Sequence, residues 1–563
     1  MEKRALLAFV LSMAVFIIWA YLFGAPSTPP PQTETETETV SGPEAAPAET
    51  APTRGEGDWT KTTEGSPGQA PAQPQPSPTD LPVKDLTVNT SLYSAVITTR
   101  GARLKSLTLN HYRTTADPSS PPKELVMVDS PRDYPLGLSF KYDPDFNLSG
   151  AVFDADHERL ELGPSMPAAK LTLTFQKPNG VQVVRTFTFE DDSYLIGVHD
   201  KLLNYSDQTI EDQLILDMAS QPLSDKERYA GFGAYIDEKL YEVKPGKVDK
   251  KLDDLKGKTY NLAWAGYEDQ YFLAAILPED RERTRINPET YQDKGVRIQF
   301  AHPPLTMPPN TQKDYQTQIF YGPKDFNVLK AAGHDLSKSI DFGWFDILSK
   351  PLLMFMTWLY KYVGNYGVAI IIITLIIKAI FWPLTAKSYK SMKNMQKLQP
   401  KIMKLREKYK DDRQKMNQEM MQLYRTYKVN PMGGCLPMVI QIPVFIALYR
   451  LLDYSLELRH APFALWINDL SAPDRLFHFN VNIPLMHPPA GIPVLTLLMG
   501  ASMLLQQKMT PTPGDPTQAK MMMLMPVFFT FIFINFPAGL VLYWLVNNLL
   551  SIGQQTMINR RPK

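Results

Sequence analysis

The chain has 563 residues, with 59 Lys+Arg against 58 Asp+Glu. The resulting net charge of +1 says little by itself, because the charges are segregated along the chain. Its single cysteine, Cys435, excludes an internal disulfide framework, and the eight scattered histidines show no metal-binding spacing, so no zinc site or other cofactor is expected.

Residues 5–23, ALLAFVLSMAVFIIWAYLF, follow the basic start MEKR. That stretch exceeds the apolar region of about 7–15 residues found in a cleaved signal peptide and approaches the span of about 20 that crosses a bilayer. Residues 1–24 therefore read as an uncleaved transmembrane anchor. Residues 25–80, rich in Pro, Thr, Glu and Gln, lack the apolar content to offset ordering and read as a disordered linker.

Residues 81–335 read as strands. LTLTF (171–175) alternates, KPNG (177–180) supplies an Asn-Gly turn, and VQVVRTFTF (181–189) continues beyond it. Similar runs stand at 92–99, 101–109 and 194–205. A large, antiparallel, all-β sandwich is expected, acting as a binding or spacer domain. LKGKT (255–259) imitates part of a phosphate loop but lacks the leading glycine, and reads as a solvated loop.

The last third is apolar. Residues 336–356 resemble an interfacial amphipathic helix interrupted by Pro351, and five spans are expected at about 357–384, 432–452, 491–507, 521–536 and 538–553 within a core of 357–558. Between Ala386 and Asn430 there are thirteen Lys/Arg and four Asp/Glu, a net of +9, which assigns this loop to the cytoplasm. Residues 453–490 carry four acidic and two basic residues and belong outside, whereas NRRPK, with the basic tail 559–563, is inside. Both termini are then cytoplasmic, and the β domain is exported.

Within 387–428, Met392, Met395, Leu398, Ile402, Leu405 and Tyr409 form one apolar seam, and Met416, Met420, Leu423 and Tyr427 a second. The turn at Lys410, Asp411 and Asp412 predicts a hairpin of two short helices, with Asp412 the cap of the second. Either its charges only enforce topology, or residues such as Lys401, Asp411, Asp412 and Arg413 make a docking arm.

One charge stands inside a span. Lys378 in ITLIIKAIFWPLT (373–385) costs about 2.5–3.5 kcal/mol at a helix centre, which roughly ten apolar neighbours at about 0.3–0.6 each offset. It must snorkel, pair or line a wet cavity. Thr374 lies one turn away, while Gln506, Gln507, Tyr543, Asn547 and Asn548 offer neutral polarity on other spans. If these converge, they form a mildly basic groove in the bilayer. A solute transporter using Lys378 as an anion site is the alternative, although no inverted repeat is visible.

PLTAKSYKSMKNMQKLQPKI, YKVNPMGGCLPMVIQIPVFIALYRLL, ELRHAPFALWINDLSAPD and FPAGLVLYWLVNNLLSIGQQ together resemble, collinearly over about 343–558, the YidC family of membrane protein insertases. The anchor and exported β domain resemble the Gram-negative form in architecture. The resemblance implies a protein that catalyses no chemical reaction but inserts and helps fold inner-membrane proteins, alone or beside the Sec translocon. It implies five core spans around a hydrophilic groove open to cytoplasm and lipid, with a periplasmic β domain. The groove's single positive residue, usually arginine, falls on Lys378, and its aromatic pair on Tyr543 and Trp544; Thr374 and Gln507 complete the expected client-binding set. Implied partners are nascent membrane proteins, the Sec translocon with its accessory proteins, the ribosome, the signal recognition particle receptor and membrane lipid, with no specific nucleic-acid sequence.

Overall fold

The computed structural model describes residues 81–560, apart from 179, 224–229, 256, 257, 259, 293, 411, 428, 430–435, 480, 482, 485 and 510–515. The expected anchor (1–24) and linker (25–80), part of LKGKT, Asp411, the Arg413 side chain, Cys435 and residues 561–563 of the tail lie outside the described residues.

Strand alternation is written most plainly in the middle of the β domain. Strands β1 (Ala168–Gln176) and β2 (Val181–Glu190) pair antiparallel from Ala168 opposite Glu190 to Gln176 opposite Gln182. The turn between them places Gly180 at φ +90°, where a Cβ would stand 2.8 Å from the Ser206 nitrogen, so only glycine fits. In β2 every second residue from Val181 to Phe189 is buried, the pattern of a strand with one face on a core. Strands β3 (Leu195–Asn204), β4 (Leu262–Asp269), β5 (Phe272–Pro278) and β6 (Thr311–Pro323) continue the sheet. The order β4–β5–β6–β3–β2–β1 forms the middle of a nine-stranded sheet. Five- and four-stranded sheets accompany it, and all three share one hydrophobic core. The expected all-antiparallel sandwich is thus corrected in two ways. There are three sheets, and Thr87–Asn89 pairs parallel with Arg159–Glu161, which a crossover rather than a hairpin permits.

Arg185 occupies an inward position of β2 and is wholly buried. Its Nε and Nη2 donate to the two carboxylate oxygens of Asp200 on β3 at 2.6 and 2.8 Å. Its Nη1 donates to the carbonyls of Ala102 and Leu136 at 3.0 and 2.6 Å. Those carbonyls immediately precede strands of the five- and four-stranded sheets, so one guanidinium fastens three sheets.

The C-terminal region is helical: α1 (Asp346–Val363), α2 (Tyr366–Lys408), α3 (Arg413–Thr426), α4 (Leu436–Tyr454), α5 (Val494–Met509), α6 (Pro516–Phe533) and α7 (Ala538–Arg560). Helix α2 is long and apolar enough to cross a membrane, and Met522–Phe533 is a shorter apolar helix. Three expectations change here. Pro351 lies inside α1, in its second turn, and does not end it. Residues 357–363, expected in the first span, belong to α1, because Gly364 at φ +62° closes that helix and Asn365 caps the next through the Val368 N–H at 3.2 Å. The exposed face of α1 is itself apolar, with Ile347, Met354, Trp358 and Tyr362 outward and Leu353, Met356 and Leu359 buried.

The third change concerns the basic segment. Its first helix is no separate short element, since α2 runs unbroken through Pro383 and Pro400 to Lys408. Asp412 caps α3 by accepting from the Lys415 N–H at 2.9 Å. Leu398, Ile402 and Val429 form a small core with Met395, Met420, Leu423 and Tyr424, whereas Tyr427 of the expected seam is exposed and its hydroxyl meets the Lys401 ammonium.

The β domain rests on the end of α4 and the loop after it. Gln270 donates to the Asp453 carbonyl, and Arg459 lies over the rings of Tyr271 and Phe272 while donating to the carbonyls of Arg113 and Thr114. Between these contacts Glu457, beyond the end of α4, is pushed up to about 7, chiefly by burial and further by Asp325.

Two outcomes follow from these pairings. Arg185→Leu leaves Asp200 buried without its cation and costs about 3–5 kcal/mol, read as lost amide protection in the β domain, whereas Arg185→Leu with Asp200→Leu recovers most of it. Glu457 holds its proton in the docked form up to about pH 7, but an exposed glutamate ionises near pH 4.3. The docked form therefore binds the extra proton in that window, and hydrogen-exchange protection around residues 453–459 falls as pH rises through it. Glu457→Gln removes the dependence.

Candidate functional site

Lys378 sits about 18 Å along α2 from Tyr366, at about 1.5 Å per residue, and is only 6% exposed. Its ammonium donates to Ser551 Oγ at 2.6 Å and lies 3.5 Å from Asn547 Oδ1, both on α7. Ser551 Oγ donates in turn to the Asn547 carbonyl at 2.7 Å, and Gln441 of α4 donates to Asn547 Oδ1 at 3.3 Å. The Tyr543 hydroxyl is hydrogen-bonded to Gln441, and the Tyr389 hydroxyl to Ser551 and Gln506. Four helices, α2, α4, α5 and α7, therefore meet in one polar network around one cation. Among the described residues no carboxylate lies within ion-pair distance of Lys378.

Other pairs extend the polar seam. Thr385 and Gln554 exchange hydrogen bonds at 3.1 and 2.7 Å, Asn548 donates to Ser502 Oγ at 3.0 Å, and Gln555 donates to the Met509 carbonyl at 2.7 Å. Gln507 is close to this seam in sequence, and its Nε2 is buried with no partner among the described residues. The Lys378 neighbourhood does not include Thr374 as a partner. That hydroxyl donates to the Ile370 carbonyl of its own helix at 2.7 Å, the usual recourse of a threonine in an apolar helix. Trp544 stands edge-on to Phe445 at 4.6 Å and to Phe533 at 5.1 Å, in an aromatic cluster rather than in hydrogen-bond contact with the network. Of the second expected site, Lys401 and Asp412 are placed as described above, remote in sequence from the Lys378 network.

Ser551, Gln441 and Tyr389 were not expected at the site. Ser551 had a usable signal. Tyr543, Asn547, Ser551 and Gln554 recur at four, four and three residues, which aligns them on one face of a helix.

A β-rich domain joined to apolar helices, one of them long and apolar enough to cross a membrane, fits the class of membrane proteins with a large extramembrane domain. The family model for the YidC periplasmic domain matches residues 85–355, and that for the 60Kd inner membrane protein matches residues 358–563. A membrane protein insertase YidC of Syntrophus aciditrophicus is 42% identical over 572 residues, covering 100% of both chains. One of Pelobacter propionicus is 43% identical over 571 residues, covering 100% of this chain and 99% of the relative. A crystal structure of an active YidC insertase with its first transmembrane domain resolved aligns over 84% of this chain and 92% of that one, at 20% identity and TM-score 0.35. The chain belongs to the YidC family of membrane protein insertases.

Ser551→Ala leaves the Lys378 ammonium with Asn547 alone. An unsatisfied buried donor costs about 1–3 kcal/mol, so the detergent-solubilised protein melts at a lower temperature. Adding Lys378→Met to Ser551→Ala removes the unmet donor and restores most of the loss.

Proposed function

We propose that the protein inserts membrane proteins, and assists their folding, by holding the hydrophilic leading segment of a client at Lys378. The observation that carries this reading is a buried ammonium whose partners among the described residues are all neutral. Each hydrogen bond from the ammonium to a neutral group contributes a net of about 1.5–3 kcal/mol, and the Asn547 contact is long at 3.5 Å, whereas a carboxylate about 4 Å from an ammonium attracts it by about 4 kcal/mol at an effective dielectric near 20. A client's acidic residue thus displaces Ser551 and Asn547 at Lys378, and they close again when it leaves. Holding the polar end within the bilayer shortens the apolar distance it must cross. The client's apolar segment then partitions sideways into lipid, and a membrane potential adds about 2.3 kcal/mol per charge per 100 mV.

The resemblance to other insertases supports five core spans, with cytoplasmic termini and the β domain in the periplasm of an inner membrane. It also supports action either alone or beside the Sec translocon. The net +9 of residues 386–430 supports an arm at the C-terminal end of α2 and α3 that receives clients from the ribosome or the signal recognition particle receptor. Lys401 and Arg413 would supply its cations, and Asp411 and Asp412 belong to the same proposed docking set.

Lysine here replaces the arginine usual in the family. It keeps the charge but loses the planar fork that grips a carboxylate bidentately, so holding at Lys378 is electrostatic rather than shape-specific. In proteoliposomes, Lys378→Ala lowers insertion of clients with acidic leading segments about tenfold more than that of neutral ones, equivalent to about 1.4 kcal/mol, and Lys378→Arg retains the preference. Equal loss for both client classes overturns the electrostatic role.

A further inference from the structure

The loop between α4 and α5 contains a stretch with an unusual composition. Residues 476–493, LFHFNVNIPLMHPPAGIP, have no Asp, Glu, Lys or Arg. The stretch folds back as two short strands, β7 (Leu476–Phe479) and β8 (Ala490–Ile492), with Leu476 opposite Ile492, His478 opposite Gly491 and Phe479 opposite Ala490. The register slips at Phe477, whose φ of +54° lies in the left-handed region that a bulky side chain rarely adopts. Such a bulge re-aims a side chain, and Phe477 is 66% exposed. Only glycine fits opposite it, because a Cβ on Gly491 would stand 2.4 Å from the Phe477 carbonyl oxygen. Phe479, Val481, Ile483 and Ile492 are also exposed, as is Leu465 earlier in the same loop.

A two-stranded hairpin is marginal by itself, yet this one has a fixed base. Arg475, 9% exposed, donates to the carbonyls of Pro489, Asp474 and Ile534 at 3.3, 2.8 and 2.8 Å and to Asn535 Oδ1 at 3.2 Å. Asn535 Oδ1 also accepts from the His487 N–H at 2.9 Å. Asp474 accepts from the Trp466 indole at 2.6 Å and from the Leu495 N–H in the first turn of α5. The hairpin is therefore clamped at the level where α6 ends and α5 begins, with its apolar side chains held outward.

We propose that this hairpin lies in the lipid head-group region of the leaflet facing the β domain, with Phe477, Phe479 and Val481 reaching the upper acyl chains. Three observations select lipid as the occupant. The patch carries no charge, whereas a protein-binding face has a polar rim. Ile492 leads directly into α5, whose Leu497 and Leu498 are each 51% exposed on an apolar helix, so the patch continues a lipid-facing surface. The outward side chains of Phe477, Phe479 and Val481 carry no polar atom, so nothing in them needs a hydrogen-bond partner at acyl-chain depth. The side is fixed by Arg459 of the same loop, which donates to the β-domain carbonyls of Arg113 and Thr114 at 2.9 and 3.2 Å.

The test uses the full chain with Cys435→Ser, in vesicles of phosphatidylethanolamine and phosphatidylglycerol. A nitroxide is attached through Phe477→Cys, through Val481→Cys or, as a water-exposed reference in the β domain, through Tyr142→Cys. Collision with oxygen, which concentrates in lipid, is compared with collision with a water-soluble nickel chelate. The expected oxygen-to-nickel ratio at 477 and at 481 is at least fivefold that at 142. A ratio at 481 equal to that at 142 places the hairpin in water and overturns the proposal. Shielding of 481 from both reagents means that protein covers the patch, and overturns it as well. Position 481 lies outside the paired strands, so its result stands even if substitution at Phe477 disturbs the bulge.

Discussion

An ammonium group inside an apolar bundle has to be satisfied by the bundle itself, and the arrangement of the helices follows from that requirement. Lys378 finds its partners on α7, where Ser551 and Asn547 stand one turn apart. Asn547 engages Gln441 on α4, and Tyr389 links Ser551 to Gln506 on α5. The hydrophobic effect gives helices in lipid little reason to choose one face over another, so polar contacts of this kind set the faces that meet. Among the described residues all these partners are neutral. A carboxylate at the same place would bind Lys378 more strongly than any of them, and under the proposed function it would also block an arriving client.

The β domain solves the corresponding problem with the opposite chemistry. Arg185 is as deeply placed as Lys378, but it has a carboxylate, Asp200, in bidentate contact and two carbonyls from other sheets. Four of its five N–H groups are used, and its charge is matched by a carboxylate, so this cation is a fastening. The contrast between the two cations lies in their partners rather than their burial. A permanent counter-ion makes Arg185 a structural joint, whereas the neutral partners of Lys378 leave its charge without a counter-ion among the described residues.

The same loop that carries the β domain also fixes the ends of the helices. Arg459 and Asp453 meet the β domain, Leu470 and Ala472 accept from the backbone of Gly539 and Ala538 at the start of α7, and Arg475 reaches the end of α6. Its sequence reads as a short acidic connection when only charges are counted. Folded, it is a bracket that holds two helix ends, one domain and an apolar hairpin.

Strand periodicity, the turn before Gly180, the Asp412 cap, the buried cation and the family were all legible in the sequence, because each depends on residues close together or on a motif read in order. The break at Gly364–Asn365 was also written there, but the apolar composition on both sides masked it. Other features belong to tertiary structure alone. Asp200 lies directly opposite Arg185 on the neighbouring strand, but nothing near VQVVRTFTF says that Arg185 will also meet the carbonyls of Ala102 and Leu136, which immediately precede strands of two other sheets. Nothing near Thr374 says that its own helix, rather than Lys378, will take its hydroxyl. Ser551 and Gln441 became neighbours of Lys378 only when α4 and α7 packed against α2. The sequence by itself determined that one charge would lie within an apolar span and that the chain belongs to this family, because local composition and long collinear motifs suffice for both. Only the tertiary structure decided which groups answer that charge, because hydrogen-bond partners over 100 residues apart are chosen by packing.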